Sequence, residues 1–487
     1  MARSTRTRTA APRSRPSMRG WPGPGGGAQL YLDPPPEYRG TSVQVCGLWP
    51  FGAGSGTPTI GVPLGRSLQS GATVCCDPIS WFTRAQLILN PSMFVLGQPA
   101  LGKSTITRRM ALGLAGYGVL PMVFGDLKPD YVDLIRALGG QVITLGRGQG
   151  HLNVLDPGES AAAAAQLTGS ARESLLKQAA GRRLNMVSAL ITVLRREPPT
   201  EREENILATA LEVLDDRHTG VPVLGDLLQV ITEAPDAVRA TALDRGDMDR
   251  YRDITEGLES SLTGLLGKGK LGETFAHPTT EPMHMDRPVC FDISSISDSE
   301  EQLQAAALLA CWSYGFGAVD AAQALADAGL APQRHYFLVL DELWRVLRVG
   351  RGLVDRVDAL TRLNRQRGVG MAMITHSIKD LLALPSEDDR MKAKGFVERS
   401  GMVISAGLPK EEMPRLGEVV NLTASEQRMI TEWSTPPGWS TASGPEAAPP
   451  GRGNFLIKVG GRPGIPLHVE LTAAELHIND TNRRWHQ

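Results

Sequence analysis

Short apolar runs, each bounded by glycine, proline or charge, recur along the chain with room for a helix between them. Met93-Phe94-Val95-Leu96 is the first unbroken run, and a helical stretch from Ser104 to Leu114 follows it. Leu120 to Phe124 is the second, with a helix near Val132 to Leu138, and Gln141 to Leu145 is the third. A strand that lacks polar alternation is buried on both faces. Strand, helix, strand, helix, strand with short connections therefore predicts a parallel sheet covered by helices on either side. After Asn153 to Gly158 the pattern changes. From there to about Gly272 the chain is rich in Ala, Leu and charge at helical spacing, as in "ARESLLKQAAGRRLNMVSALITVLRRE". Few residues in it favour strand, so it reads as an all-α insertion.

β-Character returns at Arg287 to Ile293, His335 to Glu342, Gly370 to Thr375 and Gly401 to Gly407. Beyond these lie a capping box, Thr423-x-x-Glu426, and a Pro/Gly/Ser-rich loop over 434–454. Two short strands follow in "NFLIKVG" and "IPLHVEL", and no internal repeat is visible. Ahead of the first run, residues 41–90 alternate short β-branched runs with Gly and Pro turns. The expected division is a basic disordered tail (1–40), a small β-rich segment (41–90), the first half of an α/β core (91–157), an all-α insertion (158–280), the second half of the core (281–410) and a C-terminal helix and strand pair (411–487).

Composition narrows the class. At 487 residues, 41% hydrophobic and 21% charged, the chain is a soluble globular protein with room for two or three packed units. Net charge is −1, but the first 20 residues carry six arginines and no acid, which leaves −7 for the rest. A strongly basic nucleic-acid-binding body is not indicated. The opening, Met1 to Gly27, is too rich in Arg, Ser, Pro and Gly to fold. Its arginines are either a solvated tail or a contact for anionic lipid or nucleic acid. Cys46, Cys75, Cys76, Cys290 and Cys311 are odd in number and lack metal spacing, which points to reduced thiols in the cytoplasm. Neither a signal peptide nor a membrane span is expected, because the most apolar stretch, Ala305 to Val319, is short and bounded by Asp320. It reads as a buried helix.

The chemistry begins between the first strand and its helix, at Gly97-Gln98-Pro99-Ala100-Leu101-Gly102-Lys103-Ser104. Gly97 and Gly102 let the backbone curl until its N–H groups face an anion. Lys103 then reaches the β- and γ-phosphates of a nucleotide, Ser104 ligates Mg²⁺, and the helix opening at Ser104-Thr105 lends its positive end. Ala100 stands where many such loops carry a further glycine, which predicts a slightly stiffer loop.

Hydrolysis needs a carboxylate for the metal and a group to orient water. "FLVLDE" supplies both on a buried strand, Asp341 for the outer shell of Mg²⁺ and Glu342 for the attacking water. Thr375 and His376 end another strand at the edge where open α/β sheets hold ligands, so His376 is placed to sense the γ-phosphate. Arg362, Arg365 and Arg367 make either a solvated basic face or a source of one arginine that reaches across a subunit boundary. Asp126, Lys128 and Asp156 read as turn and capping residues, and the glycines from Gly146 to Gly150 as a loop.

The order of these pieces resembles one family, the VirB-type conjugation ATPases of type IV secretion systems within the HerA–FtsK group of ring motors. "NPSMFVLGQPALGKS", "GDLKPDY", an N-x-x-D-P turn and a helical insertion precede "VCFDISSI", "FLVLDELW", "NRQRGVG", "MITHS" and a terminal strand pair. The likeness covers about residues 41–475, and its most specific part is the insertion with the "RQRG…ITHS" block. The wording "GVPLGRSLQSGATVCCDPISWF", with 41 Arg against 10 Lys, looks like an actinobacterial branch. The resemblance implies a RecA-like P-loop fold, an ATPase using ATP and Mg²⁺, and a homo-oligomer, a hexamer, with Arg365 as the trans finger. It also implies docking on membrane-embedded secretion channel subunits at the inner face of the cell membrane, with DNA or a relaxase–DNA complex as cargo. The alternative it leaves open is a DNA-translocating HerA/FtsK-like ring motor or coupling protein. Two departures stand out. Relatives carry a longer N-terminal docking domain, and they commonly place Gln where this chain has His376.

Overall fold

The computed structural model describes residues 57–146, 148–267, 271–361, 368–384, 386–436, 449 and 451–478. The basic tail, Cys46, much of the 434–454 loop, and Arg362, Arg365 and Arg367 lie outside these described residues.

The unbroken apolar runs all become strands, and they assemble side by side. In chain order the strands are β1 (Pro63–Ser67), β2 (Thr73–Cys75), β3 (Ser92–Leu96), β4 (Leu120–Asp126), β5 (Gln141–Thr144) and β6 (Val289–Asp292). They continue with β7 (Tyr336–Leu340), β8 (Val369–Thr375), β9 (Met402–Ser405), β10 (Asn454–Lys458) and β11 (Ile465–Val469). One sheet holds all 11, in the order β2-β1-β11-β10-β9-β3-β8-β7-β4-β6-β5. From β9 to β5 neighbouring strands run parallel. The four on the other side are antiparallel. Strands from both ends of the chain meet there, with Gly65 of β1 opposite Val469 of β11.

Strand alternation explains why both faces must be covered. In β8, Val369, Met371 and Met373 join one apolar cluster while Ala372 and Ile374 join the other. The helix Lys103–Gly116 seals the second face with Ile106, Met110 and Leu114. The first face receives the helix Glu301–Asp327 and the lobe between β5 and β6. Among the described residues of that lobe every element from Glu159–Gln166 to Gly272–Phe275 is helical. Thr200 and Glu203 form a capping box at the start of Glu201–Arg217. The longest lobe helix, Gly169–Arg195, buries Met186, Val187, Leu190 and Ile191 in the same cluster as the sheet.

The helix Glu301–Asp327 is long and apolar enough to cross a membrane, yet 89% of its most apolar window is buried within the protein. It lies over β4, where Phe124 meets Phe316 edge-on at 6.0 Å and Phe291 at 6.2 Å. Gly315 permits this approach, because a Cβ there would run into the Phe124 ring. The thiols of Cys75, Cys76, Cys290 and Cys311 are all free.

β4 ends on Asp126, only 2% exposed, whose carboxylate accepts the backbone N–H of Asp130 at 3.0 Å and of Tyr131 at 2.7 Å. Pro129 supports the same turn by fixing φ. Burial pushes the Asp126 carboxyl up from 3.8 to about 6, and the two backbone N–H bonds only partly restrain it.

Two outcomes follow from this packing. A solvent-facing Gly→Ala change in a helix stabilises by about 1 kcal/mol. At Gly315 we expect the reverse, a loss of about 1–2 kcal/mol in urea denaturation, relieved when Phe124→Leu is added. Asp126 has a raised folded-state pKa, so its contribution to stability is complete below the ordinary Asp pKa and is lost as pH rises through about 6. The unfolding free energy of Asp126→Asn relative to wild type should rise by on the order of 3 kcal/mol between pH 4 and 7. A flat difference across that range refutes the burial account.

Candidate functional site

The glycine-framed loop leaves β3 at Leu96 and is pinned by the strands beside it. Ala406 N–H donates to Leu96 O at 2.8 Å, Gln98 N–H to Gly407 O at 3.0 Å, and Gly97 N–H to His376 O at 3.2 Å. At Gly97 a Cβ would sit 2.6 Å from the Cβ of Ala406, so glycine is what lets the loop lie against the end of β9. Gly102 caps the helix Lys103–Gly116 with φ at +101°, a conformation glycine tolerates. Ala100 also has positive φ, +65°, which accounts physically for the glycine common at this point.

Lys103 opens that helix and is 8% exposed. Its Nζ donates to Gly97 O at 2.7 Å and Gln98 O at 3.2 Å, and lies 3.0 Å from His376 Nδ1. Burial pushes the ammonium pKa down to about 8, against the upward pull of Asp341 and Glu342. An ammonium donates to Nδ1 only if that nitrogen is bare, so the histidine proton sits on Nε2. Nε2 lies 3.2 Å from Glu342 Oε1 and donates to it. His376 thus bridges the lysine and the glutamate. Topology is the reason: β8 is inserted between β3, which carries the loop, and β7, which carries the acidic pair. By alternation Thr375 faces the opposite side, where its hydroxyl is buried without a hydrogen-bond partner.

β7 is wholly buried and delivers Asp341 and Glu342 to the same edge. Glu342 has φ at +53° and caps the helix Leu343–Val349, with its N–H bonded to Asp341 Oδ1 at 2.8 Å. Its side chain is engaged at both oxygens. Lys128 Nζ is 3.2 Å from Oε1, and the Trp344 Nε1–H donates to Oε2 at 2.5 Å. Burial alone would raise the Glu342 carboxyl; the His376 hydrogen bond, with Lys128 and Trp344, outweighs it and holds the group well below the usual range. Asp341 moves the other way, raised by burial and then by the Glu342 charge. Tyr131 OH donates to Asp341 Oδ2 at 3.3 Å. Burial raises the Asp130 carboxyl.

Gly97 through Thr105, Asp341, Glu342 and His376 therefore gather at one end of the parallel strands, and Arg365 lies outside the described residues. Asp126 makes the turn contacts expected of it, and Asp156 likewise bonds the N–H of Gly158 at 2.8 Å. Lys128 lies in the same turn, and its ammonium also rests on Glu342. Asp130, Tyr131 and Trp344 were also missed. The available signal was the run of polar residues after a buried strand, "GDLKPDY", at the edge where ligands bind.

The cradle fits a phosphate chain: two glycines free the loop, a buried ammonium faces it, and a helix begins at its floor. Among the described residues no group of three or more His, Cys, Asp or Glu side chains gathers to hold a metal. A divalent ion here needs phosphate oxygens beside Ser104, which is how Mg²⁺ is held in phosphate sites.

No family model matches the chain, and no curated protein matches it in sequence. Solved structures do match in fold. The bacterial conjugative coupling protein TrwB, in a complex with ADP and Mg²⁺, aligns over 78% of this chain and 85% of its own at 14% identity, with a TM-score of 0.47. VirB4 of Thermoanaerobacter pseudethanolicus aligns over 87% of this chain and 100% of its own at 18% identity, with a TM-score of 0.63. The protein has the α/β, RecA-like P-loop fold of that VirB4, carried on a mainly parallel sheet with a helical lobe, as the order of its sequence motifs implied.

Proposed function

We propose that this chain is an ATP-hydrolysing motor that energises a type IV secretion or conjugation system. The observation that carries the reading is the continuous contact from Lys103 through His376 to Glu342 across β3, β8 and β7. The family motif order and a fold shared along the whole of one VirB4 chain support the system it serves.

Residues Gly97 to Thr105 wrap the phosphates, and Lys103 pairs with the β- and γ-phosphate oxygens. Ser104 and Asp341 are the residues that would hold Mg²⁺, the serine through its hydroxyl and the aspartate through water. Magnesium, when bound, neutralises charge on the phosphate oxygens. Glu342 orients the attacking water and takes its proton. His376 hydrogen-bonds at the γ-phosphate position and reports it to Glu342. Arg365 serves the nucleotide of a neighbouring subunit in a ring, a hexamer, at the inner face of the membrane. The ring docks on the membrane-embedded channel subunits, and DNA or a relaxase–DNA complex is the cargo.

Lys103→Ala should weaken nucleotide binding and abolish turnover. Glu342→Gln should keep ATP bound in a filter or fluorescence assay while hydrolysis falls roughly a hundredfold or more. Turnover unchanged in Glu342→Gln would return that residue to helix capping. Steady-state hydrolysis measured with and without DNA separates the readings, since strong DNA stimulation of the purified chain favours a DNA-translocating motor.

The ring has its own test. Trans fingers contribute about 10³–10⁵ in rate. Turnover per subunit should rise with protein concentration, and mixing Arg365→Ala with Glu342→Gln subunits should restore part of the activity. Full-rate hydrolysis by a strictly monomeric preparation refutes the trans assignment.

A further inference from the structure

The turn after β4 reaches both members of the acidic pair. Tyr131 OH lies 3.3 Å from Asp341 Oδ2, and Lys128 Nζ lies 3.2 Å from Glu342 Oε1. Asp126 fixes the turn from below through two backbone bonds. The root of the Lys128 side chain is thereby planted, while the side chain itself is 56% exposed and packs against little. Its ammonium shares Oε1 of Glu342 with His376, and His376 in turn holds Lys103. Lys128 is thus one carboxylate and one imidazole away from the P-loop lysine. The two ammonium groups are close enough to repel each other.

That repulsion identifies what belongs between them. Two lysines converge on the edge of a site that also gathers Asp126, Asp130, Asp341 and Glu342. A triphosphate brings a further concentrated negative charge next to those carboxylates, so each cation in reach gains by turning toward it. Lys103 is committed by its burial to the cradle. Lys128 can swing, since its own side chain is already 56% exposed and Glu342 keeps His376 and Trp344 as donors when the lysine leaves.

We propose that Lys128 is a second phosphate-binding cation of this site, acting within one chain, and that it pairs with the terminal phosphate of a nucleoside triphosphate. The inference rests on the nucleotide-binding reading above and assigns to the β4 turn a role in telling triphosphate from diphosphate. A lysine that meets only the third phosphate leaves diphosphate affinity alone. It also supplies, in cis, positive charge beyond that of Lys103.

The test is equilibrium binding of a fluorescent non-hydrolysable ATP analogue and of fluorescent ADP to the full chain. Lys128→Met, which keeps the stem, should weaken the triphosphate analogue about tenfold or more and change ADP less than twofold, because a charge-assisted hydrogen bond to phosphate is lost. Lys128→Arg should restore most of the preference. Repeating Lys128→Met in the Glu342→Gln background excludes an effect routed through the glutamate, and the same selective loss is expected there. Equal weakening of both nucleotides, no change in either, or disappearance of the effect with Glu342→Gln overturns the assignment. If wild type binds neither nucleotide, the nucleotide reading itself fails and takes this inference with it.

Discussion

An ammonium group taken out of water must find oxygen or nitrogen to hold it, and Lys103 is such a group. It finds the carbonyls of Gly97 and Gln98 and a ring nitrogen of His376. Much of the site can be read as the consequence. The loop has to curl far enough for its carbonyls to reach back to the first helical residue, which requires glycine against Ala406. The histidine has to keep its proton on the far nitrogen, which orients it toward Glu342. The glutamate then sits among donors on three sides, which offsets its burial and keeps it charged.

The sheet order makes this geometry possible. In a parallel sheet every strand delivers its C-terminal residues to one edge. β8 is late in the sequence but lies between β3 and β7, so its last residues are wedged between the loop and the acidic pair. Neither Lys103 nor Glu342 needs to stretch, since His376 spans the gap with contacts of 3.0 and 3.2 Å. The imidazole does this bridging with two nitrogens on one rigid ring.

What the sequence made legible was local or periodic. Spacing alone placed Gly97, Gly102, Lys103 and Ser104, because the constraint acts within eight residues of chain. Unbroken apolar runs placed the strands, with boundaries off by a residue or two: β4 runs on to Asp126 and β8 starts at Val369. Strand order and the partners of side chains far apart in sequence were not legible. Lys128 looked like a turn residue because its partner, Glu342, lies 214 residues away. Trp344 carried no signal for a different reason. Its indole N–H turns back to the residue two before it, Glu342, whose backbone is left-handed at φ +53°. No side-chain pattern announces a positive φ at a glutamate.

The meeting of the chain ends bears on how the protein is made. β1 finds its partner β11 roughly four hundred residues later, and β3 must wait for β8 and β9 on either side. The helix that follows the P-loop is tied late as well, through Arg109 to Glu475 and through Arg108 to the backbone of Ile478 at 2.6 Å. During synthesis β1 can pair at once with β2, but its other edge and both edges of β3 leave the ribosome before the strands that close them have been translated. The helical lobe, whose contacts are nearer in sequence, can collapse first and leave the sheet to be completed around it.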